Sequence, residues 1–205
     1  MRPMQRIADT LFWTLIALWL AFALAGGIAA ASIFPAARGL PLSLEGYEGF
    51  IAASPEQGRM LVAGHLAESV FAKTDGVRLL LAPLAVLALL AQVALAPRAT
   101  RSGARFVWIA VAATALLVGT FWSQPAFTAR DAEYRTAART GRGTELLANA
   151  TDSGPKLAVD AAHQRASWVA GTEALALLFL IAVSAWNAGG SSVRNYSSGR
   201  SWRRG

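Results

Sequence analysis

His65 and Glu68 stand three residues apart, and Asp160 and His163 repeat that spacing. Residues three apart on a helix share a face, so each pair presents an imidazole and a carboxylate together. These are the only two histidines in the chain. Asp131 and Glu133 add carboxylates on a third segment. Metal sites inside helix bundles are built from Glu and His pairs on facing helices. Such ligands suit zinc, iron, manganese or copper(II). One expectation is therefore a divalent metal held by His65, Glu68, Asp131, Asp160 and His163. The other is a salt-bridged, solvated face in which Arg59, Arg130, Arg135 and Arg165 take the carboxylates. Counted from Arg78 and Trp168 as interface markers, His65 stands about 20 Å above the membrane and His163 about 7 Å. One site holds both only if the helices are offset or bent.

Glu173 raises a different chemistry. It lies in "WVAGTEALALLFLIAVSAW", residues 168–186, which is otherwise free of charge. An acid inside a membrane span is costly and faces the bundle interior. It reads either as an ion or proton site, or as a residue pinning helices together through Thr120 or Ser123. Gln92, the other strongly polar residue in a span, sits near the opposite side of the membrane and reads as an interhelical hydrogen bond. There is no HExxH, CxxC, GxSxG, P-loop or dinucleotide fingerprint.

These residues need elements to carry them. Of 205 residues, 55% are hydrophobic and 15% charged, against about 25% charged in ordinary soluble domains. Four stretches are long and apolar enough to cross a bilayer, which takes roughly 20 residues. They fall at about 10–34, 79–97, 106–123 and 167–187. The first is longer than the apolar core of a signal peptide and reads as an uncleaved helix. The fold class expected is all-α: an integral membrane four-helix bundle over 1–190, followed by a flexible basic tail over 191–205.

Charge sets the expected orientation. The N-terminus, the link near Arg98, Arg101 and Arg105, and the tail together hold nine basic residues and one acid, Asp9. The two longer connections hold ten of each. By the positive-inside rule both termini are cytoplasmic and the long connections face outward. The net charge of +7 is explained by these flanks, so nucleic acid is not expected as a partner. The arginine- and alanine-rich composition points to a bacterial inner membrane. Trp108, Trp122, Trp168 and Trp186 are placed as interfacial anchors.

The outward connections carry helix starts. "SPEQ" at 54–57 places Ser54 to cap, Pro55 at the first helical position and Gln57 in a capping box. "SGPK" at 153–156 is a second start. Helix two begins well outside the membrane, helix four near 155, and helix three continues past Trp122 with a kink at Pro125. The connector 39–53 suggests a short amphipathic segment on the membrane surface through Leu42, Leu44, Tyr47 and Phe50. Ala23, Gly27 and Ala31 recur every four residues in helix one and mark it for close packing inside the bundle. Asn149 and Thr151 fit a glycosylation acceptor in an exposed loop.

Four segments carry a resemblance. "IFP" at 33–35 closes helix one, and "EQGRMLVAGHLAESVFAKTDGVRLL" at 56–80 leads into helix two. "FWSQPAFTARDAEYR" at 121–135 follows helix three, and "DAAHQRASWVAGTEAL" at 160–175 opens helix four. With these the chain resembles an uncharacterised four-helix membrane family that includes transmembrane-protein-205-like proteins. That family is distantly similar to the copper-resistance D membrane domain. The resemblance implies the four-span topology and no particular activity.

Two functions are expected. The first is an accessory or structural subunit of a larger membrane assembly, with no enzymatic activity, whose partners are the lipid bilayer and other membrane subunits or further copies of itself. The second is handling of a metal ion or proton by the carboxylate and histidine groups at the outer ends of helices two to four.

Overall fold

The computed structural model describes residues 3–40, 43–95, 103–140 and 154–198, with side chains in the last stretch as far as Trp186. Leu42, Arg98, Arg101, the loop with Asn149 and Thr151, and the basic side chains of the tail lie outside the described residues. The described residues are almost wholly helical. The elements are α1 (Pro3–Arg38), α2 (Glu48–Ala53), α3 (Pro55–Leu95), α4 (Gly103–Val118), a π-helical turn (Gly119–Ser123), α5 (Gln124–Arg139) and α6 (Pro155–Ser198).

Four helices are long and apolar enough to cross a membrane: α1, α3, the continuous α4–π–α5 rod, and α6. The all-α membrane bundle read from the sequence is the fold observed. The backbone stays helical to Ser198, so residues 191–198, read from sequence as tail, are drawn out as helix.

The helices associate as two antiparallel hairpins. α1 runs along α3, and α4 with α5 runs along α6. In the half nearer the chain termini the hairpins fuse into one core. Phe12, Ile16 and Trp19 recur at helical spacing on α1 and meet Ala85 and Leu89 of α3, Ala112 and Leu116 of α4, and Leu177 and Leu180 of α6. Alanines at the crossings let the backbones approach, which matters in lipid, where apolar burial gives no drive between helices. Long side chains such as Leu87, Leu178 and Phe179 face outward. Trp122, Trp168 and Trp186 also project outward, whereas Trp108 stacks on Phe179 at 4.8 Å between ring centres.

The close helix contact expected at Ala23, Gly27 and Ala31 does not fall on Gly27 or Ala31. Nothing lies within 4 Å of a methyl group built on Gly27, and Ala31 is exposed. The close approach falls one residue earlier, at Gly26, whose missing methyl would meet the Phe71 ring at 2.9 Å. An alanine-rich helix offers small residues on every face, so spacing alone did not select the packed one.

The other end of the bundle carries its own small core. Gly46, at φ +80°, turns the chain, and its amide donates to Glu48. α2 then folds back onto α3 and α5. Tyr47 and Phe50 are buried against Leu61 and Ala138, with Tyr134 edge-on to Phe50. These residues were expected on the membrane surface; they pack inward instead. Ser54 is the single extended residue between α2 and α3, a conformation enforced by Pro55 behind it. Its carbonyl accepts the Gly58 amide. A methyl on Gly58 would lie 2.7 Å from the Ile51 side chain and 3.0 Å from its backbone. Gly58→Val is expected to lift α2 off α3 and cost about 1–3 kcal/mol. Amide exchange confined to residues 47–53 would register it, and unchanged protection there would refute the contact.

The third span stays helical through Pro125. It rewinds just before it: Gln124 donates to the carbonyl of Gly119, a five-residue reach. Proline cannot donate to the carbonyl four residues back and its ring crowds that carbonyl. The wider π-turn absorbs the misfit, as such turns do.

Candidate functional site

Away from the fused core the two hairpins separate. Between them lies a partly open cavity of about 460 Å³, within the range of small-molecule sites. α1 contributes Ala23, Gly27 and Phe34, and α3 contributes Phe71. The π-turn adds Gly119, Thr120 and Ser123, and α6 adds Ser167 and Gly171. The lining is largely aliphatic and aromatic, with charge concentrated at two levels.

The deeper level is built on Glu173, which is 2% exposed. Its Oε2 accepts from Arg78 Nη1 at 2.7 Å, and its Oε1 accepts from Trp19 Nε1 at 2.7 Å. Arg78 also donates through Nη2 to Asp75, three residues earlier on α3. α1, α3 and α6 are thereby tied at one point. Arg78 Nε has no protein partner. The expected partners Thr120 and Ser123 line the cavity, but they are not what holds Glu173. Arg78 is itself largely buried within the bundle.

Ten residues outward, about 15 Å along the helices, a second arginine makes the reverse connection. Arg135 of α5 donates to Glu68 Oε2 of α3 at 3.1 Å and to Asp131 Oδ2 at 2.6 Å. Its Nη1 lies 3.0 Å from His65 Nδ1. The same Nδ1 stands 3.7 Å from Glu68 Oε2. Asp131 and Tyr134 lie beyond the apolar stretch 106–123. Burial raises the Asp131 carboxyl above its ordinary value, more than Arg135 beside it lowers it. Burial likewise pushes the Tyr134 phenol up to about 12, with Asp160 and Asp131 adding to the shift.

The expected metal ligands are thus divided. His65, Glu68 and Asp131 converge, with Arg135 at their centre. Asp160 pairs with Lys156 at 2.7 Å on its own helix. His163 lines the cavity beside Phe127, with 5.8 Å between ring centres. Among the described residues no three His, Asp or Glu side chains gather as a metal-holding group. Glu133 pairs with Arg130 on the outer surface. Gln92 lies at the far end of the core, where its amide donates to the carbonyl of Ala8 at 3.4 Å, an interhelical bond of the kind expected.

Three residues that matter escaped the sequence reading. Asp75 and Arg78 stand at i and i+3, a visible signal of a helical ion pair, although their position at the edge of an apolar stretch read as a boundary. Trp19 sits mid-span, where an indole N–H needs an acceptor. Below Glu173 the interior is closed by the fused apolar core.

Comparison with known proteins gives no match to a family model, to a curated protein or to a solved structure.

Proposed function

We propose that this membrane protein binds a small amphipathic molecule in the cavity between its two hairpins. The observation that carries the reading is the position of the Arg78–Glu173 bridge at the floor of a cavity that the apolar core closes beneath it. Such a chamber receives a molecule from one side and offers it no path through. That favours capture over conduction, and it argues against proton passage by Glu173 alone. The flanking charges support an orientation in which the cavity opens outward and the termini are cytoplasmic, in a bacterial inner membrane. Kinship with the transmembrane-protein-205-like family remains a proposal resting on the four segments quoted above.

Gly27 supplies the test. It lines the cavity and has free space where a side chain would grow. Gly27→Leu should fill that space, keep the unfolding midpoint or raise it, and weaken binding at least tenfold. The measurement is a titration with fluorescent cationic, neutral and anionic amphiphiles on protein in lipid nanodiscs, with empty discs subtracted. Saturable binding that Gly27→Leu leaves unchanged would place the ligand elsewhere.

An accessory role in a larger assembly is the second reading. It is favoured by the α2 platform, whose separate core of Tyr47, Phe50, Leu61 and Ala138 the cavity does not require. A stoichiometric membrane partner that co-purifies with the native chain and is lost with Gly58→Val would support it. Handling of a metal ion has the weaker footing, because Asp160 and His163 stand apart from His65, Glu68 and Asp131.

A further inference from the structure

The cavity's charges and rings narrow what it takes. Four carboxylates line it, Glu68, Asp75, Asp131 and Glu173, against two guanidiniums, Arg78 and Arg135. Each arginine is shared between two acids, so each level holds two carboxyl groups to one guanidinium. The walls also include Phe34, Phe71 and Phe127. Aromatic faces attract cations, most strongly where water is excluded. An anion entering would meet carboxylates already oriented by the protein. Both guanidiniums that line the cavity already hold carboxylates of the protein.

We propose that the ligand class is a lipophilic cation: an organic ammonium or phosphonium whose apolar groups fill the cavity while its charge rests between the two acidic levels. This rests on the reading of the cavity as a binding site and adds the sign of the charge. The phenyl rings also give the pocket breadth of choice, since they fix a charge sign without fixing a hydrogen-bond pattern.

Tetraphenylphosphonium and tetraphenylborate separate the two claims, because they share size, shape and apolar surface and differ in sign. Each is titrated against the full chain in zwitterionic nanodiscs, with empty discs subtracted, for the native protein and Gly27→Leu. The expected result is saturable binding of the phosphonium at least tenfold tighter than the borate, abolished by Gly27→Leu. Equal binding, or preference for the borate, again abolished by Gly27→Leu, overturns the cation inference and leaves the cavity reading standing. Absence of saturable binding by either ion overturns both.

Two further variants test the electrostatics without touching the floor. Glu68 is over half exposed, and Arg135 keeps Asp131 when Glu68 is changed. Thr128 lines the cavity, is exposed, and bonds only within its own helix. Glu68→Gln and Thr128→Lys should each lower phosphonium affinity roughly three- to tenfold, with a smaller effect at high salt. Affinity unchanged in both would remove the charge argument.

Discussion

Arg78→Ala is expected to destabilise the protein by about 3–5 kcal/mol, the range for removing one partner of a buried ion pair. The loss is large because Glu173, 2% exposed, would keep only the Trp19 indole, while Asp75 would lose the guanidinium it shares. The replacement of both charges should behave differently. Arg78→Leu together with Glu173→Leu removes the most buried pair and leaves only the less buried Asp75 unmatched, and apolar substitutes for a buried pair are often nearly neutral. Most of the stability lost in the single variant should therefore return in the double. Unfolding by anionic detergent in mixed micelles measures all three proteins on one scale. Losses that simply add would mean that the two side chains do not act on each other, and the floor would be misread.

Trp19→Ala should cost about 3–5 kcal/mol, because Trp19 is fully buried where all four long helices meet. Trp19→Phe separates the two parts of that loss. Phenylalanine retains most of the ring contacts with Leu89, Leu177 and their neighbours but cannot donate to Glu173 Oε1. Its cost should fall to about 1–3 kcal/mol, the penalty for an unsatisfied buried acceptor. Combined with Glu173→Gln, the phenylalanine variant should show a clear coupling energy in a double-mutant cycle. If Trp19→Phe costs as much as alanine, indole shape matters and the hydrogen bond does not.

Much of the fold was legible because its signal is local. Four long apolar stretches, a proline at position 55 and another at 155 placed the long helices without any knowledge of their neighbours. The site was half legible. Glu173 declared itself by being an acid among leucines. Its partners did not, because Arg78 is 95 residues away and Trp19 is 154. Arg78 also ends a charged segment, and a charge at the margin of an apolar run looks like an interface marker whether it faces water or an acid. The histidines misled for the reverse reason. Their spacing to an acid was true helical geometry, yet spacing within a helix says nothing about which helix faces it. Arg135, counted at first as one surface cation among several, proved to sit between His65, Glu68 and Asp131. The π-turn had one sequence correlate, Pro125, which predicts strain without saying how it is absorbed.

The long separation of Arg78 from Glu173 has a consequence for biogenesis. During synthesis α3 leaves the ribosome and reaches the insertion machinery well before α6 has been made. For that interval Arg78 has no Glu173. It does have Asp75, three residues back on the same helix and its partner in the folded chain. A paired arginine is far cheaper to carry toward lipid than a bare one. Asp75 is thus the acid within reach of Arg78 before α6 has been made. Glu173 then adds the bond that ties the last helix to the first hairpin, so each of the two terminal arginine nitrogens holds an acid made at a different time.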